Sequence, residues 1–233
     1  MHFIWRKVGH FALAWLLSIS ITGRTAGQPL PTPKETPPPR EMWWSRRREP
    51  LVEVKKACPT IFYELRYATK RNFLGKPVYP RFARCMVRLS VAERLNHAQA
   101  ELRAQGYGLK VWDAYRPKWA HQILWEKWPD PEVVAEPEKG GSFHSWGASV
   151  DVTLVDLHGR EQPMPTDFDD FTAAAKSEYV GSDPQIAANV RILRTAMTNA
   201  GFKGIRDEWW HFTAVDAMVF NPVNLPLEAN GKR

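Results

Sequence analysis

The segment Ala148-Ser149-Val150-Asp151-Val152-Thr153-Leu154 constrains the chain more than any other. Aliphatic side chains at every second position specify a β-strand with one face turned to a core, and the alternation puts Asp151 on the opposite face. A carboxylate in the middle of such a strand needs a partner, because an unpaired charge withdrawn from water is costly. Two imidazoles are candidates. His144 precedes the strand in Ser142-Phe143-His144-Ser145-Trp146-Gly147, and His211 follows about sixty residues later in Glu208-Trp209-Trp210-His211.

Together these segments hold the inventory of a zinc hydrolase. Zinc used for hydrolysis takes three protein ligands and keeps a fourth position for water, whose proton it makes easier to remove. His144, Asp151 and His211 supply the three ligands. Glu208 is then a spare carboxylate that can take the proton from the water and pass it to a leaving amine. Residues three apart on a regular strand point to opposite faces, so Glu208 has to sit in a bend before the strand that carries His211. The spacing between His144 and Asp151 alone leaves a second reading open, in which His144 is a buried, hydrogen-bonded core residue. The Glu-x-x-His segment favours the metal. His97 and His121 fall inside expected helices without a suggestive acidic partner, and His158 falls in a turn. None of these is expected to bind metal.

The rest of the pattern reads as α+β, with short strands and separate helices. Ser90-Val91-Ala92-Glu93 looks like a capping box opening a helix that Gly106 stops, with Val91, Leu95, Ala98 and Leu102 on one stripe. A strand over Leu109 to Trp112 then leads into Asp113-Ala114-Tyr115-Arg116-Pro117, where Pro117 suits the first turn of a helix ending near Trp128. Arg116 is thereby presented at a strand-to-helix junction. A further helix runs from Pro184 to about Asn199, and a last strand covers Trp209 to Phe212. Trp112, Trp146, Trp209 and Trp210 flank the candidate site and are read as core packing.

The N-terminus differs in kind. Arg6, Lys7 and His10 precede an apolar run from Phe11 to Ile21 and the small residues Thr25-Ala26-Gly27, the three parts of an export signal. About eleven apolar residues are too few for a membrane span, which needs about 20. Residues 28–49 form a proline-rich linker ending in Trp43-Trp44-Ser45-Arg46-Arg47-Arg48, read as a solvated spacer in preference to a contact for an anionic surface. Residues 50–233 form the folded domain. The formal charge of +7 falls to +4 once residues 1–27, with three cations and no acids, are removed. That is too mild to argue for nucleic acid. A periplasmic or secreted location would be oxidising, so Cys58 and Cys85 are expected to form a disulfide; two buried free thiols are the alternative.

The chain resembles the VanX-type D-alanyl-D-alanine dipeptidases, zinc enzymes of the group that includes D,D-carboxypeptidases and the Hedgehog signalling fold. The resemblance spans about Leu51 to Phe212. It rests on Leu65-Arg66-Tyr67-Ala68-Thr69 with Asn72-Phe73-Leu74-Gly75-Lys76-Pro77-Val78-Tyr79, on Trp112 to Pro117, on Ser142 to Asp151, and on Glu208 to His211. It implies a single α+β domain, with a central antiparallel sheet flanked by helices, and one zinc ion on His144, Asp151 and His211. Glu208 is the implied base, and Arg116 the implied donor to the oxyanion; from the residues alone, Arg116 can also be a salt-bridge partner of Asp113. The resemblance further assigns Tyr67, Ser142 and Asp169 to substrate binding, with Asp169 pairing the free ammonium of a dipeptide. The family usually has glycine after the methionine of that segment, and this chain has Pro165. The implied activity is hydrolysis of D-alanyl-D-alanine in wall turnover or scavenging. A D,D- or L,D-carboxypeptidase acting on wall peptides and a non-catalytic, zinc-stabilised wall-binding domain are the alternatives.

Overall fold

The computed structural model describes residues 48–131, 133–139 and 141–228. The export signal and almost all of the linker lie outside the described residues. No helix among those described is long and apolar enough to cross a membrane.

A five-stranded sheet carries the site. Its strands are β2 (Phe62–Tyr63), β4 (Tyr107–Asp113), β5 (Ser149–Asp156), β6 (Phe202–Gly204) and β7 (His211–Ala214), in the order β2-β4-β5-β7-β6. A separate pair joins β1 (Leu51–Glu53) to β3 (Met86–Arg88). The helices are α1 (Val54–Ala57), α2 (Leu89–Arg103), α3 (Lys118–Lys127) and α4 (Pro184–Asn199). The α+β expectation holds, with one correction to the antiparallel sheet. The pairs β4 with β5, β5 with β7, and β6 with β7 are antiparallel, but β2 joins β4 in parallel. Parallel neighbours need a long crossover, and the chain between them contains β3 and α2.

The strand β5 is buried almost throughout, and Val150, Val152 and Leu154 are completely enclosed. Helices α2 and α4 pack against each other and on the sheet, burying Val91, Leu95, Ala98 and Leu102 from one and Val190, Leu193 and Met197 from the other. Both stripes follow the spacing of three and four that brings side chains to one helix face. The bounds of α4 match the expectation. Asp183 caps it by accepting from the N–H groups of Gln185 and Ile186, and Pro184 opens the first turn.

The expected capping box at Ser90 does not form. The helix begins two residues earlier than that cap implies, at Leu89, and Ser90 lies inside its first turn. There its N–H and hydroxyl both donate to the Glu49 carboxylate, at 3.0 and 2.6 Å. An external carboxylate satisfies the free N–H of a first turn and suits the positive end of the helix. Glu49, read from sequence as the end of the linker, thus contacts the first turn of α2.

The expected disulfide is also absent: Cys58 and Cys85 are free and buried. The Cys58 thiol donates to the Ala92 carbonyl at 3.3 Å, so it packs as a small core side chain with its own partner. Burial pushes Cys58 up to about 11 and Cys85 well above the usual thiol range. Both are thus held as thiols, the form that does not attack a disulfide.

Candidate active site

Strand register assembles the site. Across the sheet Asp113 on β4 pairs with Asp151 on β5, and Asp151 pairs with His211 on β7. Directly opposed residues share a face, so three side chains more than ninety positions apart in sequence at the extremes stand in one row. A register shift between Val111 and Asp113 turns Asp113 into that row. Histidine 144 arrives from a 3-10 turn, Phe143–Trp146, immediately before β5. The Ser142 hydroxyl opens that turn by accepting from the His144 N–H at 3.2 Å, and Gly147 closes it with φ of 70°. A β-carbon on Gly147 would disfavour that backbone and also meet Leu51 Cδ2.

Three acceptor atoms converge. His144 Nε2 lies 3.2 Å from His211 Nδ1 and 3.4 Å from Asp151 Oδ1, and His211 Nδ1 lies 3.0 Å from Asp151 Oδ1. His144 Nδ1 is 2.8 Å from the Ala114 carbonyl, which only accepts, so Nδ1 carries the proton and Nε2 turns its lone pair inward. His211 Nε2 meets Thr213 Oγ1 at 3.1 Å, and Thr213 in turn meets Ser149 Oγ at 2.7 Å. Each imidazole is thus oriented from behind, as a metal ligand is.

These residues fit a zinc ion. Ligands at 2.0–2.1 Å in a tetrahedron stand about 3.3 Å from one another, which is the scale of the observed triangle. The charge balance agrees. Among the described residues lining the pocket, Asp151, Asp169 and Glu208 accompany one guanidinium, that of Arg116, which Asp113 already binds, so the site as a whole favours a cation. Burial alone would raise Asp151, yet His144 and His211 hold it well below the usual carboxylate range.

Glu208 lies off the strand, as the strand geometry requires, but the strand expected from Trp209 begins only at His211: Trp209-Trp210 form a turn that the His211 N–H closes on the Glu208 carbonyl. Its Oε2 is 3.8 Å from His211 Nδ1. Burial pushes its carboxyl up to about 7, against the pull of His211, which is the range in which a group both takes and gives a proton near neutrality.

Arg116 is the salt-bridge partner of Asp113 and also lines the pocket. Its Nε and Nη2 bind Asp113 Oδ2 at 2.9 and 2.7 Å, while Nη2 also stands 3.7 Å from Asp151 and the guanidinium lies 5.0 Å from the Tyr67 ring centroid. The Tyr79 hydroxyl donates to the other Asp113 oxygen at 2.8 Å. Asp113 is therefore the anchor that aims Arg116 into the pocket. Its importance was only partly visible beforehand, as an acid three residues before Arg116; Tyr79 carried no such signal.

The pocket encloses about 310 Å³ and is lined by Tyr67, Arg116, Ser142, Asp169 and Glu208 along with the metal triangle. Asp169 accepts from the Tyr67 hydroxyl at 3.1 Å and from the Phe73 N–H at 3.2 Å. Burial pushes its carboxyl up to about 7 despite the Phe73 N–H and the Arg116 charge. His121, set aside from sequence, is buried in the pocket wall, donates Nε2–H to the Ala135 carbonyl at 2.7 Å, and is pushed by burial down to about 4. It is a neutral wall residue bonded to Ala135.

The raised Asp169 has a measurable consequence. The folded state holds this proton to higher pH than the unfolded chain, so the carboxyl costs stability progressively between about pH 4 and pH 7. Asp169→Asn keeps the shape and tolerates the same backbone. It is expected to raise Tm at pH 8, by about 2–4 °C for each kcal/mol relieved, and to leave it unchanged near pH 4. Thermal melts at the two pH values check this; an equal change at both would mean that the carboxyl is not buried in the charged form.

The family model described as D-ala-D-ala dipeptidase, within the M15 peptidases, matches residues 47–226. The chain is 35% identical to the D-alanyl-D-alanine dipeptidase of Escherichia coli (strain K12) over 170 residues, 73% of this chain and 87% of that protein. It is 34% identical over 175 residues to the protein of the same name from Enterococcus faecalis, covering 67% of this chain and 87% of the relative. A third relative of that name, from Streptomyces coelicolor, is 33% identical over 179 residues, 69% and 89% of the two chains. A match that takes in every element of the sheet together with the row Asp113, Asp151 and His211 establishes that the chain belongs to the D-ala-D-ala dipeptidase family of M15 peptidases.

Proposed function

We propose that the protein is a zinc-dependent dipeptidase that hydrolyses D-alanyl-D-alanine, with a fold of the type shared by D,D-carboxypeptidases and Hedgehog proteins. The observation that carries the reading is the triangle of His144 Nε2, Asp151 Oδ1 and His211 Nδ1 with the unliganded carboxylate of Glu208 beside it. When bound, zinc supplies a Lewis acid that polarises the scissile carbonyl and makes water at the site easier to deprotonate. Glu208 takes the proton from the attacking water and delivers it to the leaving amine. Arg116, held by Asp113, donates to the oxygen on which negative charge develops. Asp169 pairs with the substrate ammonium, with Tyr67 steadying its carboxylate, and the Ser142 region forms the wall beside the scissile bond.

An ammonium paired with Asp169 beside Tyr67 would stand where a longer peptide continues. The reading therefore favours a dipeptide over a wall stem peptide. A panel of Ala-Ala dipeptides with each stereochemistry, run beside a stem pentapeptide, tests it. D-alanyl-D-alanine is expected to be the preferred substrate; release of alanine from the pentapeptide but not from the dipeptide would establish a carboxypeptidase instead. The export signal read at residues 1–27 assigns the work to wall turnover or scavenging outside the inner membrane, and mature protein confined to the cytoplasm would contradict that assignment.

A further inference from the structure

Behind the pocket lies an ion cluster that the proposed chemistry does not use. Arg66 is fully buried, its guanidinium 4.6 Å from the Trp112 ring centroid, and its Nη2 donates to both oxygens of Glu161 at 2.9 and 3.0 Å. Glu161 also accepts from Lys110 Nζ at 3.2 Å and Trp112 Nε1 at 3.1 Å. Among the described residues Arg66 Nε and Nη1 have no hydrogen-bond partner, although Nη1 stands 3.7 Å from Glu64 Oε1. A pair with one fully buried, incompletely satisfied charge is a weak source of stability. Its position suggests another task.

Arg66 and Tyr67 are consecutive in one 3-10 turn, and Asp167 and Asp169 flank Phe168 in the facing segment. On the outer side Asp167 faces Arg66 at 3.9 Å and Arg71 at 3.5 Å; on the inner side Asp169 accepts from Tyr67 at 3.1 Å. The Phe168 ring fills the space between, 5.5 Å from Tyr67, 5.7 Å from Trp112 and 5.8 Å from Trp210, measured between ring centroids. Asp169 itself has φ of 59°, the one positive value at a non-glycine position among the described residues. Such a backbone persists only where its surroundings over-determine it.

We propose that Arg66 and Glu161 are positioning residues that hold Tyr67 and Asp169 in the geometry that selects a substrate ammonium. The inference rests on the reading of Asp169 as the ammonium partner. Neither residue touches substrate; each acts through the Tyr67 turn and the Phe168 box.

The test compares D-alanyl-D-alanine with N-propionyl-D-alanine, which has the same amide but no ammonium. Glu161→Gln keeps the shape and an acceptor for Trp112. It is expected to raise KM for the dipeptide about tenfold to a hundredfold, the scale on which a displacement of about 1 Å acts, with kcat and zinc content little changed. Preference for the dipeptide over the propionyl compound is expected to fall by the same factor. Should Glu161→Gln not accumulate as folded protein, the pair Arg66→Met with Glu161→Leu removes both charges and carries the same expectation. A lowered Tm with unchanged KM and unchanged preference would reduce the cluster to a structural role and overturn the proposal. Asp169→Asn separates the two levels: if it leaves the preference intact, the ammonium reading fails and the proposal with it, whereas lost preference there and none lost with Glu161→Gln overturns the positioning alone.

Discussion

Glu208→Gln is expected to lower kcat by about 10³- to 10⁴-fold, towards the upper end of what a positioned base contributes, while one zinc per chain is retained and the melting temperature does not fall. The substitution keeps the side-chain shape and removes only the capacity to take a proton. Glu208 stands 3.8 Å from His211 Nδ1, outside the triangle of acceptor atoms, so the metal set is left whole. Its backbone carbonyl, which closes the turn before β7, is untouched. Steady-state kinetics with metal analysis on the same sample checks the expectation. Activity within tenfold of the unaltered protein would mean that the proton is moved by another group.

Asp151→Asn is expected to act differently, removing zinc and activity together. Asp151 stands between Asp113 and His211 in the strand register and completes the triangle with its Oδ1. Replacing one oxygen by an amide nitrogen sets a donor against the acceptor His211 Nδ1 or leaves the triangle with a neutral ligand. A Lewis acid contributes several kcal/mol to such hydrolysis, so at 1.36 kcal/mol for each tenfold the expected loss is about 10³-fold or more. Dialysis followed by metal quantification separates this from the Glu208 variant. A fully loaded Asp151→Asn protein would show that the third ligand lies elsewhere.

Much of this site was legible in the chain because it depends on local pattern. The alternation around Asp151 predicts both the strand and the awkward carboxylate, and the odd spacing of Glu208 and His211 predicts that Glu208 leaves the strand, though the break extends through Trp210 where a strand was expected. Helix α4 is bounded by Asp183, Pro184 and Gly201, whose preferences are local. What escaped depends on pairing between distant segments. Ser90 carries a local capping pattern, yet Glu49 supplies the carboxylate, because tertiary structure brings a better-placed acceptor to that turn. The pairing of Ser149 with Thr213, which orients His211, follows from strand register alone. The cysteines were read from an expected compartment, whereas the core around Ala92 decides their state.

The proposed activity depends on metal held by His144, Asp151 and His211. The direct measurement is to strip the purified protein with a chelator, quantify bound zinc, and follow D-alanyl-D-alanine hydrolysis as zinc is restored. Activity is expected to vanish with the metal and to return in proportion to occupancy, reaching its maximum at one zinc per chain. Full hydrolysis by metal-free protein, or a zinc-loaded protein inert towards every Ala-Ala dipeptide, would contradict it.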